Sequence, residues 1–70
     1  MRLSTRNQLT GTITDVTPGA VMATVKVRLD GGDQVVTASI TKDAVEDLGL
    51  QVGLAATVLI KSTEVAIGVE

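Results

Sequence analysis

AVMATVKVRL (residues 20–29) is the segment that decides the fold, because an apolar side chain recurs along it at every second position. An alternation of period two is typical of a β-strand that buries one face and exposes the other. The segment therefore predicts a half-buried strand. Its apolar face comprises Val21, Ala23, Val25, Val27 and Leu29, and its opposite face comprises Met22, Thr24, Lys26 and Arg28.

Turn signals bound this strand on both sides. Before it, Pro18 suits the second position of a turn and Gly19 tolerates a positive φ. After it, the glycine-rich loop DGGD (30–33) predicts a hairpin. The return strand is predicted in QVVTASI (34–40), and LTGTITDV (9–16) upstream alternates in the same way. The first half of the chain is thus predicted to be a three-stranded meander.

The spacing of apolar residues changes after the meander. Thr41 is a favourable N-cap, and Val45 and Leu48 stand three positions apart. Gly49 then supplies the residue type that commonly follows the C-terminus of a helix. Residues 42–48 are therefore predicted to form one short α-helix.

Two further strands are predicted after the helix, in LAATVLIK (54–61) and EVAIGV (64–69). The order β-β-β-α-β-β is typical of an all-β, OB-fold-like barrel of five strands with one short helix. A small open sheet packed on a helix is the alternative. Closure is favoured because it removes the exposed edges that a valine-rich sheet would otherwise present.

The length and composition of the chain limit how such a fold is stabilised. Its 70 residues suffice for a single domain, 1–70, and they include no aromatic residue, cysteine or histidine. The core must therefore consist of Val, Ile, Leu, Met and Ala, in a domain of a size that buries only about 60% of the surface its unfolded chain exposes. Since disulfides are impossible and a zinc site is disfavoured, we expect oligomerisation to supply additional stability.

Composition also argues against several classes of function. Six basic and eight acidic residues give a net charge of −2, and no aromatic side chain can stack on bases, so nucleic-acid binding is disfavoured. Catalysis is disfavoured because the chain lacks histidine and cysteine, which supply the usual general base and thiol nucleophile. No apolar run suits a membrane span and the N-terminus does not resemble a signal peptide, so we expect a cytoplasmic protein without membrane association.

Cationic and hydroxyl side chains collect at the predicted strand ends. Considered singly they are ordinary surface groups, since Arg6 suits a surface ion pair and Thr41 is explained as a helix cap. Considered together they offer cations, O–H donors and a helix N-terminus, which are groups that bind an oxyanion. The pattern is compatible both with ordinary surface side chains and with an oxyanion-binding site. The set comprises Ser4, Thr5, Arg6, Asn7, Thr41, Lys42, Lys61, Ser62 and Thr63.

Several blocks of the sequence match one family pattern. The opening STRNQLTGTI (4–13) is similar to SARNQLKGKV, and AVEDLGL (44–50) is similar to SVEELGV. Near the C-terminus, IKSTEVAIGVE (60–70) is similar to IKSTDVMI, and DGGD stands in place of a similar glycine-rich loop. These patterns belong to the molbindins, the small molybdenum-pterin-binding or Mop proteins. The resemblance spans nearly the whole chain and identifies it as a member of that family.

The resemblance implies an OB-like barrel that assembles as a hexamer, a trimer of dimers, with molybdate or tungstate at its subunit interfaces. It implies that the principal oxyanion ligands are Ser4, Arg6, Lys61 and Ser62, with Thr41 contributed by the partner subunit. Further contacts are expected from Thr5, Asn7, Lys42 and Thr63, and weaker ones near Gly19, Ala20 and Val21.

Two positions in these blocks differ from the family pattern. Thr5 replaces the usual Ala, which adds a hydroxyl without removing a ligand. Ala44 stands where many relatives carry Ser, so a hydroxyl contact used by those relatives would be lost here. We expect Asn7 and Gln8 to hold the backbone of the opening segment in place.

The expected function is non-catalytic binding and storage of molybdate or tungstate inside the cell by a homo-oligomer. No cofactor and no directly coordinated metal ion are expected, because the metal is bound only as its oxyanion. The alternative is a regulatory or interaction module that responds to the oxyanion and acts on a separate partner chain.

Overall fold

Four β-strands and one α-helix form the fold in the computed structural model, which describes residues 1–70. They are β1 (Asn7–Pro18), β2 (Met22–Leu29), β3 (Val35–Thr41), α1 (Lys42–Leu48) and β4 (Ala55–Ile60), followed by a 3-10 turn at Ser62–Glu64. The sheet order is β3-β2-β1-β4, and every neighbouring pair is antiparallel. The predicted meander and the predicted helix are thus both present. No helix combines the length and hydropathy that crossing a membrane requires.

Strand β2 has the two faces that its sequence predicts, except at Val21. This residue was predicted on the apolar face, but it precedes the strand and is 71% exposed. Ala23, Val25 and Val27 are buried, whereas Lys26 and Arg28 are exposed. The corresponding inner positions of β3 are only half-buried, because β3 lies at an edge of the sheet. The core is therefore built on β2 and its neighbour β1.

One extra residue in β1 changes the direction of its side chains. Ile13 pairs with Val27 on β2, and the adjacent residue of β2 pairs with Asp15. Thr14 is therefore left out of the register as a β-bulge. The bulge brings Val16 onto the same face as Ile13, although the two residues are three positions apart. Because bulges bend a strand and increase its twist, this one helps the sheet to curl around its buried face.

The hydrophobic core is small and entirely aliphatic. Ile13, Val25 and Val27 form its centre, with exposed fractions of 5% or less. Five of the 70 residues are buried, so most apolar side chains keep contact with solvent. A core of this size supplies little stability on its own. Half-buried side chains surround the centre, namely Val16, Ile40, Val45, Leu50, Ala56 and Val58.

A close approach between β1 and β2 requires glycine at position 11. Gly11 is buried, and it pairs with Leu29 on β2 and Ala56 on β4. A Cβ atom at this position would collide with the carbonyl oxygen of Arg28 and lie 2.8 Å from a methyl carbon of Val27. A side chain at position 11 would therefore force the two strands apart.

The predicted fifth strand does not form, and the sheet is a curled half-barrel instead of a closed barrel. The tail after the 3-10 turn contains no strand, and no backbone hydrogen bond involves residues 66–70. The physical reason lies in the turn itself. The 3-10 geometry of Ser62–Glu64 replaces the tight hairpin that would fold the tail back onto β4. β3 and β4 therefore stay at the two edges of the sheet.

Candidate anion-binding site

The pairing of β1 with β4 brings two distant segments of the chain together. The strands run antiparallel, and Asn7 at the start of β1 pairs with Ile60 at the end of β4. The Asn7 side chain reinforces this junction, because its Nδ2 donates a hydrogen bond to the Ile60 carbonyl oxygen at 3.0 Å. The residues that precede Asn7 and those that follow Ile60 are therefore neighbours.

An open polar pocket of about 300 Å³ lies between these two segments. Two of its six lining residues are cations and four carry hydroxyl groups, and none is acidic. The pocket thus presents positive charge and hydrogen-bond donors without a competing carboxylate. The lining residues are Ser4, Thr5, Arg6, Lys61, Ser62 and Thr63.

Local hydrogen bonds hold both walls of the pocket. On one wall, Gln8 Nε2 donates to the Thr5 carbonyl oxygen at 2.7 Å. On the other wall, the Glu64 N–H donates to the Lys61 carbonyl oxygen at 2.9 Å and closes the 3-10 turn. Asn7 and Gln8 do not line the pocket. Their hydrogen bonds agree with the expectation that these two amides position the backbone.

The donors of the pocket are free to bind a ligand. The side chains of Arg6 and Lys61 are exposed, and none of the side-chain hydrogen bonds of the chain uses them. The hydroxyl groups of Ser4 and Ser62 are equally unoccupied. Water and salt screen exposed charges, so charge contacts at such a surface contribute little. Covering the open side would strengthen each charge-assisted hydrogen bond.

Some of the predicted site residues lie elsewhere, at the N-terminus of α1. Thr41 caps the helix, since its Oγ1 accepts a hydrogen bond from the Ala44 N–H at 3.1 Å. Its own O–H group is left available as a donor. The loop between β1 and β2 packs at the same place, because the Lys42 N–H donates to the Val21 carbonyl oxygen at 2.8 Å. This second group is separate from the polar pocket.

The two groups occupy opposite ends of β1. The pocket adjoins Asn7 at the start of the strand, whereas the loop formed by Gly19, Ala20 and Val21 follows its end at Pro18. β1 has 12 residues. At about 3.3 Å per residue, its ends are on the order of 35 Å apart along the strand. Within one chain, the structure therefore does not bring Thr41 to the pocket.

Other parts of the chain offer fewer cations and hydrogen-bond donors to an anion. No group of three or more His, Cys, Asp or Glu side chains is placed to hold a metal ion. The glycine-rich loop encloses a smaller cavity of about 150 Å³, which includes Asp30 and no cation. Every residue that lines the polar pocket is among those predicted from the sequence, because cations and hydroxyls at strand ends are visible without tertiary structure.

Comparison with known proteins identifies relatives of the whole chain. The family model described as the TOBE domain matches residues 3–67. Molybdenum-pterin-binding protein 3 of Clostridium pasteurianum is 46% identical over 67 residues, which cover 96% of this chain and 97% of that protein. The similarity thus extends over almost the full length of both chains.

Two solved structures share the fold. An apo form of MopII from Clostridium pasteurianum has a TM-score of 0.90 at 37% identity, covering 97% of this chain and 100% of that chain. ModG, described as a cytoplasmic molybdate-binding protein, was solved with molybdate bound. It has a TM-score of 0.82 at 47% identity, covering 89% of this chain and 43% of that chain.

The chain has the fold of a family of small binding proteins, and that family is not a catalytic one. The chain belongs to the molbindin family of TOBE domains. The family identified from the sequence blocks is therefore confirmed.

Proposed function

We propose that this chain binds a tetrahedral oxyanion, molybdate or tungstate, in the pocket between the start of β1 and the end of β4. The observation that carries the proposal is the lining of that pocket, which consists of cations and hydroxyl donors without a carboxylate. The molybdenum-pterin-binding relative and the molybdate-bound ModG structure support this choice of ligand. The proposed principal ligands are Ser4, Arg6, Lys61 and Ser62, with Thr5 and Thr63 as further contacts.

The chemistry of the anion matches these donors. Molybdate carries two negative charges on four oxygens and has no proton to donate near neutral pH, so a carboxylate in its site would repel it. Arg6 offers a planar fork of N–H groups, and Lys61 offers a compact charge. Hydrogen bonds to charged groups contribute about 1.5–3 kcal/mol each. Several of them together can offset the entropy that the anion and the side chains lose on binding.

We further propose that a second copy of the chain completes the site. The pocket is open to solvent, and Thr41 lies at the far end of β1 with a hydroxyl that is free to donate. A neighbouring subunit that placed its Thr41 and Lys42 over the pocket would add donors and exclude water. The proposed assembly is a homo-oligomer, in the form of the hexamer that the family resemblance implies. Residues 19–21 adjoin Thr41 and are proposed as weaker contacts.

The proposed biological role is storage of the oxyanion in the cytoplasm, without catalysis and without a cofactor. The description of ModG as a cytoplasmic molybdate-binding protein supports this role. No observed feature favours the alternative of a regulatory module that acts on a separate partner chain.

Isothermal titration calorimetry of the assembled protein with molybdate, tungstate and sulfate tests the proposal. We expect molybdate and tungstate to bind at a fixed ratio of anions to subunits. The sulfate titration measures whether the site selects against a tetrahedral dianion of smaller radius. No binding of either molybdate or tungstate would contradict the proposed function, and equally tight binding of sulfate would contradict a dedicated storage role.

A further inference from the structure

Thr5 is the one half-buried residue of the polar pocket, and the other five residues that line the pocket are exposed. Its backbone is held in place, because its carbonyl oxygen accepts the hydrogen bond from Gln8 Nε2 at 2.7 Å. Its side chain is β-branched, which restricts rotation about χ1. A group that is already ordered and partly shielded from water loses less entropy on binding than an exposed, mobile one. Among the hydroxyl groups of the pocket, that of Thr5 is therefore the best prepared to bind an anion.

The hydroxyl group of Thr5 has no partner within the chain. Its Oγ1 takes part in none of the side-chain hydrogen bonds. Gln8 contacts the backbone carbonyl of Thr5 and not its side chain. No carboxylate lines the pocket to accept a hydrogen bond from it. The hydroxyl is therefore free to donate to a ligand, and the fold does not depend on it.

The start of α1, which is proposed to cover the pocket from a neighbouring copy, has no hydroxyl group at position 44. Ala44 is half-buried, and its N–H donates to the Thr41 Oγ1 at 3.1 Å. Because residues three positions apart at a helix start lie beside each other, a side chain at position 44 stands next to Thr41. Ala44 presents only a methyl group there. Among residues 41–44, Thr41 therefore carries the only hydroxyl.

Positions 5 and 44 differ from the family pattern in opposite directions. The pattern SARNQLKGKV has alanine where this chain has Thr5, and the pattern SVEELGV has serine where this chain has Ala44. One hydroxyl is thus present in the pocket that the pattern lacks, and one is missing at the helix start that the pattern has. The number of hydroxyl groups at the two positions together is the same, but the side of the proposed site that carries the hydroxyl differs.

We propose that the Thr5 hydroxyl donates to the bound oxyanion in place of the hydroxyl that is absent at position 44. The chain that holds Arg6 and Lys61 then supplies a donor that would otherwise come from its neighbour. A tetrahedral anion has oxygen atoms on every side, so it can accept a hydrogen bond from either wall of the site. This role of Thr5 rests on the proposed function, because it requires the pocket to hold the anion and a neighbouring helix start to cover it.

Two substitutions of Thr5 separate its hydroxyl from its bulk. Thr5→Val keeps the shape without the hydroxyl, whereas Thr5→Ser keeps the hydroxyl, and both leave the backbone carbonyl that Gln8 contacts. In calorimetric titration with molybdate, Thr5→Val should raise the dissociation constant by about tenfold, and Thr5→Ser should change it by no more than about twofold. Thermal unfolding without molybdate verifies that both variants fold.

The outcomes of this titration distinguish the role of Thr5 from the proposed function. Wild-type protein that binds neither molybdate nor tungstate would overturn both. Wild-type protein that binds molybdate no more tightly than Thr5→Val would overturn the role of Thr5 alone. Equal losses in Thr5→Val and Thr5→Ser would also overturn it, because they would show that the bulk of the side chain matters and the hydroxyl does not.

A second substitution tests whether the two positions replace each other. Adding Ala44→Ser to Thr5→Val returns a hydroxyl to the helix start, and we expect the dissociation constant for molybdate to recover to within about threefold of the wild-type value. Ala55→Ser is the matched control, because Ala55 is exposed at the start of β4, whereas the pocket adjoins the end of that strand at Ile60. Adding Ala55→Ser to Thr5→Val should recover nothing. Failure of Ala44→Ser to restore binding, or equal recovery with Ala55→Ser, would overturn the proposal.

Discussion

At the scale of the residue, the polar pocket depends on side chains that carry charge or a hydroxyl and face no acid. Arg6 and Lys61 come from opposite ends of the chain, and the antiparallel pairing of β1 with β4 makes them neighbours. Neither side chain is used in a hydrogen bond within the chain. Both side chains are therefore available to bind a ligand, and the fold does not depend on hydrogen bonds from them.

Removing either cation should weaken oxyanion binding without unfolding the protein. Arg6→Ala and Lys61→Ala each delete a charge-assisted hydrogen bond, and we expect the dissociation constant for molybdate to rise by about tenfold or more. Isothermal titration calorimetry measures this change. Arg28→Ala is the matched control, because Arg28 is exposed on β2 and does not line the pocket. Wild-type affinity in both pocket variants would show that the ligands are assigned wrongly.

Gly11 is the residue at which the backbone leaves no space for a side chain. Gly11→Ala should lower the free energy of unfolding by about 1–3 kcal/mol, because the added methyl group collides with the backbone of β2. Chemical denaturation at a fixed protein concentration measures the loss. Gly32→Ala is the control, since a Cβ atom at Gly32 meets nothing within 4 Å. Equal stability of the two variants would contradict the close approach of the strands.

At the scale of the element, the helix start combines a structural role with a proposed binding role. Thr41 caps α1 by accepting a hydrogen bond from the Ala44 N–H, while its O–H group can still donate. Aspartate also caps a helix well, but it offers no donor and adds a negative charge. Substitutions at this position can therefore separate the two roles.

Three variants of Thr41 make this separation. Thr41→Ala should lower the free energy of unfolding by about 1 kcal/mol through loss of the cap, and it should also weaken molybdate binding. Thr41→Asp should keep the stability and lose the binding, whereas Thr41→Ser should keep both. Thermal unfolding and calorimetric titration of the assembled variants measure the two effects. Tight molybdate binding by Thr41→Asp would remove Thr41 from the proposed site.

At the scale of the whole molecule, a small core makes stability depend on association. The burial of five residues contributes little to the free energy of unfolding, and apolar side chains such as Ile67 and Val69 remain exposed to solvent. Burial of these groups between copies would add stability, and a ligand that binds only the assembled state would add more by mass action.

The melting temperature should therefore rise with protein concentration and with molybdate. At a free anion concentration of 100 times the dissociation constant, the expected stabilisation is about 2.7 kcal/mol per site. Differential scanning calorimetry at several protein concentrations, with and without molybdate, measures both trends. A melting temperature that responds to neither variable would contradict an anion site formed between copies.

Local features of the fold could be predicted from the sequence because each depends on residues close together in the chain. The alternation in β2, the turn on either side of it, and the cap residues Thr41 and Gly49 all act within a few positions. Charge and hydroxyl content at the strand ends is equally local, which is why every residue of the polar pocket could be named in advance.

Features that depend on pairing between distant segments required the tertiary structure. The bulge at Thr14 appears only when β1 is set in register with β2, and a period of two cannot reveal it. The separation of Thr41 from the pocket follows from the length of β1.

The sequence by itself determined the order of the first four strands and the helix, the family and the donor groups, because side-chain chemistry and short-range spacing are properties of the chain alone. Only the tertiary structure decided that the strand-like tail lacks a partner within its own chain. An alternating pattern indicates that a segment can pair as a β-strand, but pairing also requires an open sheet edge beside that segment. The tail that follows the turn at Ser62–Glu64 pairs with neither edge of the sheet in its own chain.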